Sequence, residues 1–516
     1  MTPATAPLGP ARGMLRGGQA FMASAAVTLL GSGLGSAFTV VNEAMAARIL
    51  GPGGYGLYAI GMMLAKVSEV LAVFGLSLAV LRYVPLHLGR SEGRLALATI
   101  LGAVAVPLLL GLCFAACLWL GANAIARELF NAPGAAPFIA VLGLAVPGLA
   151  LAELLGNVAR AFGRPVVYVL VRNLIPPVGY SLMLFALLWT GRGGADVPCA
   201  YLTATGTGAL LGVVVVGGIV LRRIGKVRPQ FRLRPVYAYA VPIGLNSIVA
   251  ITIAWTDLMV LGLFADPVQV GMYRACMQAA IGFDLVWNAC SAATAPLYPI
   301  LIAEQAWTRL QDVYGTAIRT TVLLVLPMLA VIASNAPDIL GLLHPDFRVA
   351  ALALAILAGG HAVKASCGAA SVLLVLGGRQ VLEACNGLLA AALNLVLNLI
   401  LVPRFGLMGA ASATAATLAA LSALRCWQVR RTFRLASFDV SILRACAATA
   451  LVTILVASLA AAIGIGTGSG VLALVVRVVG MGCVLAPVFW LLCLGRDDRA
   501  ELLGLLTRRA EVAPDG

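Results

Sequence analysis

The chain has 516 residues, of which 61% are hydrophobic and only 11% charged, and its mean hydropathy is +1.01. A soluble domain carries about 25% charged residues, and no soluble core absorbs this much apolar surface, so a soluble globular protein is excluded and a polytopic membrane protein is implied. The net charge of +15 does not indicate nucleic acid, because no basic patch interleaved with aromatics sits on a polar domain.

A run of about 20 apolar residues crosses a hydrocarbon core of about 30 Å at 1.5 Å per residue. A polar, basic tail (1–19) precedes the first such run, which is too long for the hydrophobic region of a signal peptide and reads as an uncleaved span. In chain order, spans 1 to 6 are predicted at 20–47, 56–84, 95–120, 137–158, 166–190 and 199–221. Span 5 is the weakest, because Arg172, Asn173, Pro176 and Pro177 interrupt its first half. A basic linker follows (222–237), then spans 7 to 12 at 238–264, 270–296, 316–343, 349–376, 381–402 and 407–427. A second basic loop (428–440) precedes spans 13 and 14 within 441–494, and a tail closes the sequence (495–516). Such long continuous runs exclude a strand barrel and leave an all-α polytopic membrane protein with about 14 transmembrane helices.

Loop charges orient these spans. The side carrying both termini holds Arg12, Arg16, Arg82, Arg90, Arg94, Arg160, Arg164, Arg222, Arg223, Lys226, Arg228, Arg309, Arg379, Arg430 and Arg431, while the other holds only Arg48, Arg127, Arg192, Arg348 and Arg404. This bias predicts that the basic side, with both termini, faces the cytoplasm.

An internal repeat is present. Gly56-Leu57-Tyr58 follows span 1 and Gly271-Met272-Tyr273 follows span 7, an offset of about 215 residues that also sets Glu69 on Asp284 and Asn42 on Asp257. Two six-helix lobes, 20–221 and 238–427, are therefore expected as parallel repeats about an axis along the membrane normal. Spans 13 and 14 form a C-terminal helix pair outside the repeat.

The stretches RILGPGGYGLYAIG (48–61), LRYVP (81–85), DLMVLGLFADPVQVGMYRAC (257–276) and LNLVLNLILVPRFGLMGAASATAATL (393–418) resemble the polysaccharide and O-antigen-repeat flippases. These belong to the multidrug/oligosaccharidyl-lipid/polysaccharide exporter superfamily. The resemblance covers about residues 20–495. It implies a V-shaped, MATE-like bundle and alternating access in the bacterial inner membrane. The cargo it implies is an undecaprenyl-diphosphate-linked sugar unit, with assembly proteins as further partners.

Ionisable groups inside spans cost at least about 2.5–3.5 kcal/mol each and face a cavity or a partner. They are Glu43, Lys66, Glu69, Asp257, Arg274, Asp284, Lys364 and Arg477. Lys66, Arg274 and Lys364 are candidates for holding a diphosphate and its sugar, since cations replace its hydration shell. Glu69, Asp257 and Asp284 are candidates for taking up H⁺ or Na⁺. Glu43 and Arg477 lie near span ends, where snorkelling is open to them. The structural alternative is that Lys66 and Glu69 neutralise each other at i,i+3, and that Arg274 and Asp284 pair with neighbouring spans. Gly31, Gly33 and Gly35 are close-packing positions or a hinge, and Asn394 and Asn398 bond across helices.

Two transporters of the same superfamily compete with the flippase reading. A multidrug/cation antiporter favours an acidic, aromatic cavity without mid-span cations. A peptidoglycan-precursor (lipid II) flippase carries denser charge in span 1 than Asn42, Glu43 and Arg48 supply. An enzyme is not expected: outer loops are short and nearly uncharged, and no GxxxxGKS loop is present. No cofactor or metal is predicted. The cysteines, among them Cys113, Cys117, Cys290, Cys385 and Cys483, lie in apolar runs without a CxxC pair, and His87, His344 and His361 are scattered.

Overall fold

The computed structural model describes residues 11–437 except 192 and 226, with side chains from Gly31 onward. Spans 13 and 14, the closing tail and Arg477 lie outside the described residues. Every regular element among the described residues is helical. The backbone helix of span 1 begins at Ala11, earlier than the apolar run that starts at Ala20.

Among the described residues, ten helical stretches are long and apolar enough to cross a membrane. Two of them, Gly31–Gly89 and Gln380–Phe433, are too long for one crossing and break at glycines with non-helical backbone. These are Gly51 (φ 65°) and Gly406 (φ 51°). Split there, the stretches correspond one for one to predicted spans 1 to 12. The chain is a multi-pass, all-helical membrane protein.

The punctuation between spans repeats as well. Gly163 ends span 4 at φ 72° and Gly378 ends span 10 at φ 81°, while Gly191 ends span 5 at φ 63° and Gly406 ends span 11 at φ 51°. Both pairs are 215 positions apart (163 to 378, 191 to 406). Left-handed backbone is cheap only for glycine, which lets a helix stop within one residue. The repeat read from sequence motifs is thus also written in backbone conformation.

The described chain divides into two compact units. The first runs to Trp255 and takes in Asp266–Val268, and the second comprises Thr256–Ala265 and the residues from Gln269 on. The interior of the first unit is built on small and branched residues such as Ala72, Leu154, Val158, Val216 and Ala240. The second has a cluster around Tyr298, Tyr314, Leu373 and Val429. With no hydrophobic drive between helices in lipid, such close packing of small residues supplies the association.

Candidate functional site

In the first unit the site begins with two glycines of span 1. A Cβ on Gly35 would lie 1.9 Å from the Asn173 carbonyl oxygen, and one on Gly31 would lie 2.4 Å from Val169 Cγ1. Their absent side chains let span 5 pack directly on span 1, whereas Gly33 faces open space. The contacting part of span 5 is a π-helical turn, Val169–Leu174. Pro176 and Pro177 withdraw two N–H donors from the next turn, and the preceding turn widens to i→i+5 bonding. Asn173 Nδ2 fixes the turn by donating to Ser32 Oγ at 3.0 Å, and Asn42 Nδ2 donates to the Pro177 carbonyl at 2.8 Å.

Arg172 projects from that wide turn and joins two carboxylates. Its Nη2 donates to Glu69 Oε1 at 2.8 Å and its Nε to Glu153 Oε2 at 2.9 Å. Lys66 Nζ donates to the other Glu69 oxygen at 2.9 Å, and Asn157 Nδ2 donates to Glu153 Oε1 at 2.8 Å. Glu69 is the enclosed member, its side chain 5% exposed, against 25% for Lys66, 24% for Arg172 and 25% for Glu153. The three outer groups face a cavity of about 440 Å³, whose wall also includes Ile243 and Trp255. Two cations and two carboxylates cancel, so this membrane-embedded cluster carries no net formal charge.

The second unit distributes its charges differently. Lys364 Nζ donates to Asp284 Oδ1 at 2.8 Å and lies 5.7 Å from the centre of the Trp287 ring. That pair is looser, with side chains 26% and 30% exposed. Beside it, His361 Nδ1 and Trp287 Nε1 are buried without a hydrogen-bond partner among the described residues. Asp257 occupies a separate, deeply buried cluster. Its carboxylate accepts from the Tyr273 hydroxyl, from Thr414 Oγ1 at 3.1 Å and from the Leu258 amide at 2.8 Å. At the equivalent place in the first unit, Asn42 both donates to Pro177 and accepts from Ser181 Oγ at 2.6 Å. An amide satisfies both roles there, while the acid in the second unit is surrounded by donors.

Among the predicted site residues, the structure joins Lys66 to Glu69 and Lys364 to Asp284. Arg274 is half-buried on span 8. Glu43 does not snorkel: it is 7% exposed and accepts from the Tyr55 hydroxyl at 2.5 Å, because that tyrosine gives it an internal partner. Asn398 bonds within its own helix to Asn394, and only Asn394 reaches across, to Thr414 Oγ1 at 3.5 Å. Sequence reading missed Arg172 and Glu153. The signal is Arg172-Asn173 ahead of two prolines, which in the sequence reads as an interruption of span 5. It also missed Glu383, which accepts from Arg425 through Nη2 and through Nε at 3.2 Å, and from Ser371 Oγ at 2.8 Å.

Residues 21–301 match the family described as polysaccharide biosynthesis protein. Among curated proteins, a probable low-salt glycan biosynthesis flippase from Haloferax volcanii, Agl15, is 29% identical over 202 residues, which cover 37% of this chain and 41% of that protein. A probable flippase from the same organism, AglR, is 25% identical over 253 residues, or 48% of this chain and 52% of that protein. The chain thus spans about half the length of these relatives. Among solved structures, the lipid II flippase MurJ in an inward closed conformation superposes with a TM-score of 0.68 at 11% identity, covering 90% of this chain and 98% of that one. An inward-facing multidrug resistance MATE family transporter of the MOP superfamily gives 0.66 at 15% identity, covering 77% and 94%. The fold is therefore that of this transporter superfamily.

Proposed function

The chain belongs to the polysaccharide biosynthesis protein family, and from that premise we propose that it is a flippase rather than an enzyme, carrying a lipid-linked glycan across a membrane by alternating access. The cargo is an undecaprenyl-diphosphate-linked repeat unit for surface polysaccharide such as O-antigen or exopolysaccharide. The membrane is the bacterial inner membrane, with both termini on the cytoplasmic side and assembly proteins as downstream recipients of the glycan. The relative Agl15, a probable glycan biosynthesis flippase, supports glycan cargo, and AglR, a probable flippase, supports the flippase reading.

The observation that carries the reading is the Lys66–Glu69–Arg172–Glu153 cluster on a cavity wall. Both cations are held by carboxylates, so an arriving diphosphate has to take Lys66 and Arg172 from Glu69 and Glu153. Carboxylates left without cations in a low-dielectric site are costly, and a proton or Na⁺ at each removes that cost. Cargo binding and ion uptake are thereby coupled through one set of charges. Asp257, held by neutral donors, is a second ion candidate in the other unit, and Arg274 and Lys364 are further cations for the cargo. A multidrug or cation antiporter with the same fold is the competing reading, and a cluster whose two carboxylates are already neutralised by Lys66 and Arg172 weighs against positively charged cargo.

The test uses proteoliposomes holding the full chain and a fluorescent undecaprenyl-diphosphate glycan. Lys66→Ala combined with Arg172→Ala is expected to remove glycan translocation. Asp257→Asn is expected to leave the protein folded and to reduce, without removing, the response of translocation to an imposed H⁺ or Na⁺ gradient. Efflux of an organic cation by the same vesicles, with no movement of the glycan, would favour the antiporter.

A further inference from the structure

Span 6 ends in Leu221-Arg222-Arg223-Ile224, and the chain then turns at Gly225 with φ 75°. The turn between spans 4 and 5 places Arg164 immediately before Pro165, at the start of span 5. Arg164, Arg222 and Arg223 line one cavity of about 280 Å³ in the first unit. Its remaining wall is apolar, formed by Val214, Val215, Gly218 and Ile219, and among the described residues no carboxylate contributes to it. None of the ion pairs among the described residues involves these three arginines.

Below the arginines the wall continues as a surface suited to acyl chains. Val214 is 65% exposed and Leu221 60%, while Ile219, at 6%, forms the floor. A Cβ on Gly218 would meet nothing within 4 Å, so the slot is open at its middle. Three permanently charged forks above an open apolar slot, at the end of a membrane span, match a phosphodiester headgroup carrying fatty chains. The cavity at the end of span 12 in the second unit lacks this single sign, since Asp312 lines it together with Arg434.

The geometry points to a binding site for an anionic phospholipid at this end of span 6, with Arg164, Arg222 and Arg223 on the phosphate and the Val214–Gly218–Leu221 face along the chains. It is separate from the charge cluster of the proposed glycan pathway and stands whether or not that reading holds.

The experiment is native mass spectrometry of the full chain in neutral detergent, titrated with dioleoyl phosphatidylglycerol or dioleoyl phosphatidylcholine. Retention of the anionic lipid is expected to exceed that of the zwitterionic one by about tenfold or more, the scale set by basic groups at an anionic surface. The triple variant R164A/R222A/R223A is expected to abolish the difference. Gly218→Leu, which fills the slot and keeps the arginines, is expected to weaken retention of the anionic lipid severalfold. Inorganic phosphate in millimolar excess is expected to leave the lipid bound. The proposal is overturned if the triple variant keeps the anionic preference. It is equally overturned if inorganic phosphate displaces the lipid completely, which would make this a site for free phosphate.

Discussion

Positions 69 and 284 are equivalent in the repeat, yet the two units treat the acid there in opposite ways. In the first unit Glu69 is bracketed by Lys66 of its own helix and Arg172 of span 5 and is almost enclosed. In the second unit Asp284 meets a single lysine from span 10 and remains about a third exposed. Position 66 is answered by Ile281 in the second unit, so the cation facing Asp284 comes from span 10 instead. The repeat therefore preserves an acid and a scaffold, and each half has built its own counter-charge around them. The enclosed cluster gives up its partners only at a large cost, whereas the looser pair can exchange them at a smaller one.

That contrast predicts a ranking of effects. Arg172→Ala leaves Glu69 and Glu153 without their shared cation, and removal of one partner of a buried pair costs about 3–5 kcal/mol. Thermal unfolding in detergent should show this as the largest loss of the series, with Arg172→Lys recovering only part of it, because a point charge does not span two carboxylates. Gly35→Ala comes next. Its methyl group would strike the Asn173 carbonyl, and overpacking of this kind costs about 1–3 kcal/mol. A crosslink or spin-label distance between spans 1 and 5 should lengthen accordingly. Lys364→Ala should cost about 1 kcal/mol, in line with a partly exposed pair. If it destabilises as much as Arg172→Ala, the contrast between the units is wrong. Gly33→Ala faces open space and should leave unfolding within about 0.5 kcal/mol of the parent.

The architecture was legible because apolar length is a local property. Each run of about 20 residues announces a span without reference to its neighbours, and Gly56-Leu57-Tyr58 and Gly271-Met272-Tyr273 expose the repeat directly. The i,i+3 spacing of Lys66 and Glu69 likewise foretells their contact. The rest of the cluster is not local. Arg172 lies 103 residues from Glu69, and it reaches that residue on span 2 from a span 5 that approaches span 1 closely. That approach is set by Gly31 and Gly35, whose importance lies in atoms they lack. In a linear reading, an arginine before two prolines in an apolar run looks like a poor span, and only packing shows it to be the centre of one.

The wide turn at Val169–Leu174 has a consequence for how this chain tolerates insertions and deletions. A π-helical turn holds roughly one residue more than an ordinary helical turn, and each residue of an α-helix advances its phase by about 100°. Deleting one residue from 169–174 would return span 5 to a regular helix and rotate its two halves against each other by about that angle. Either Arg172 would then leave Glu69 and Glu153, or Pro177 and Ser181 would leave Asn42. A single-codon deletion at Val169, Leu170 or Val171 is therefore expected to cost more than most point substitutions, although it removes no charge and no side-chain hydrogen bond of its own.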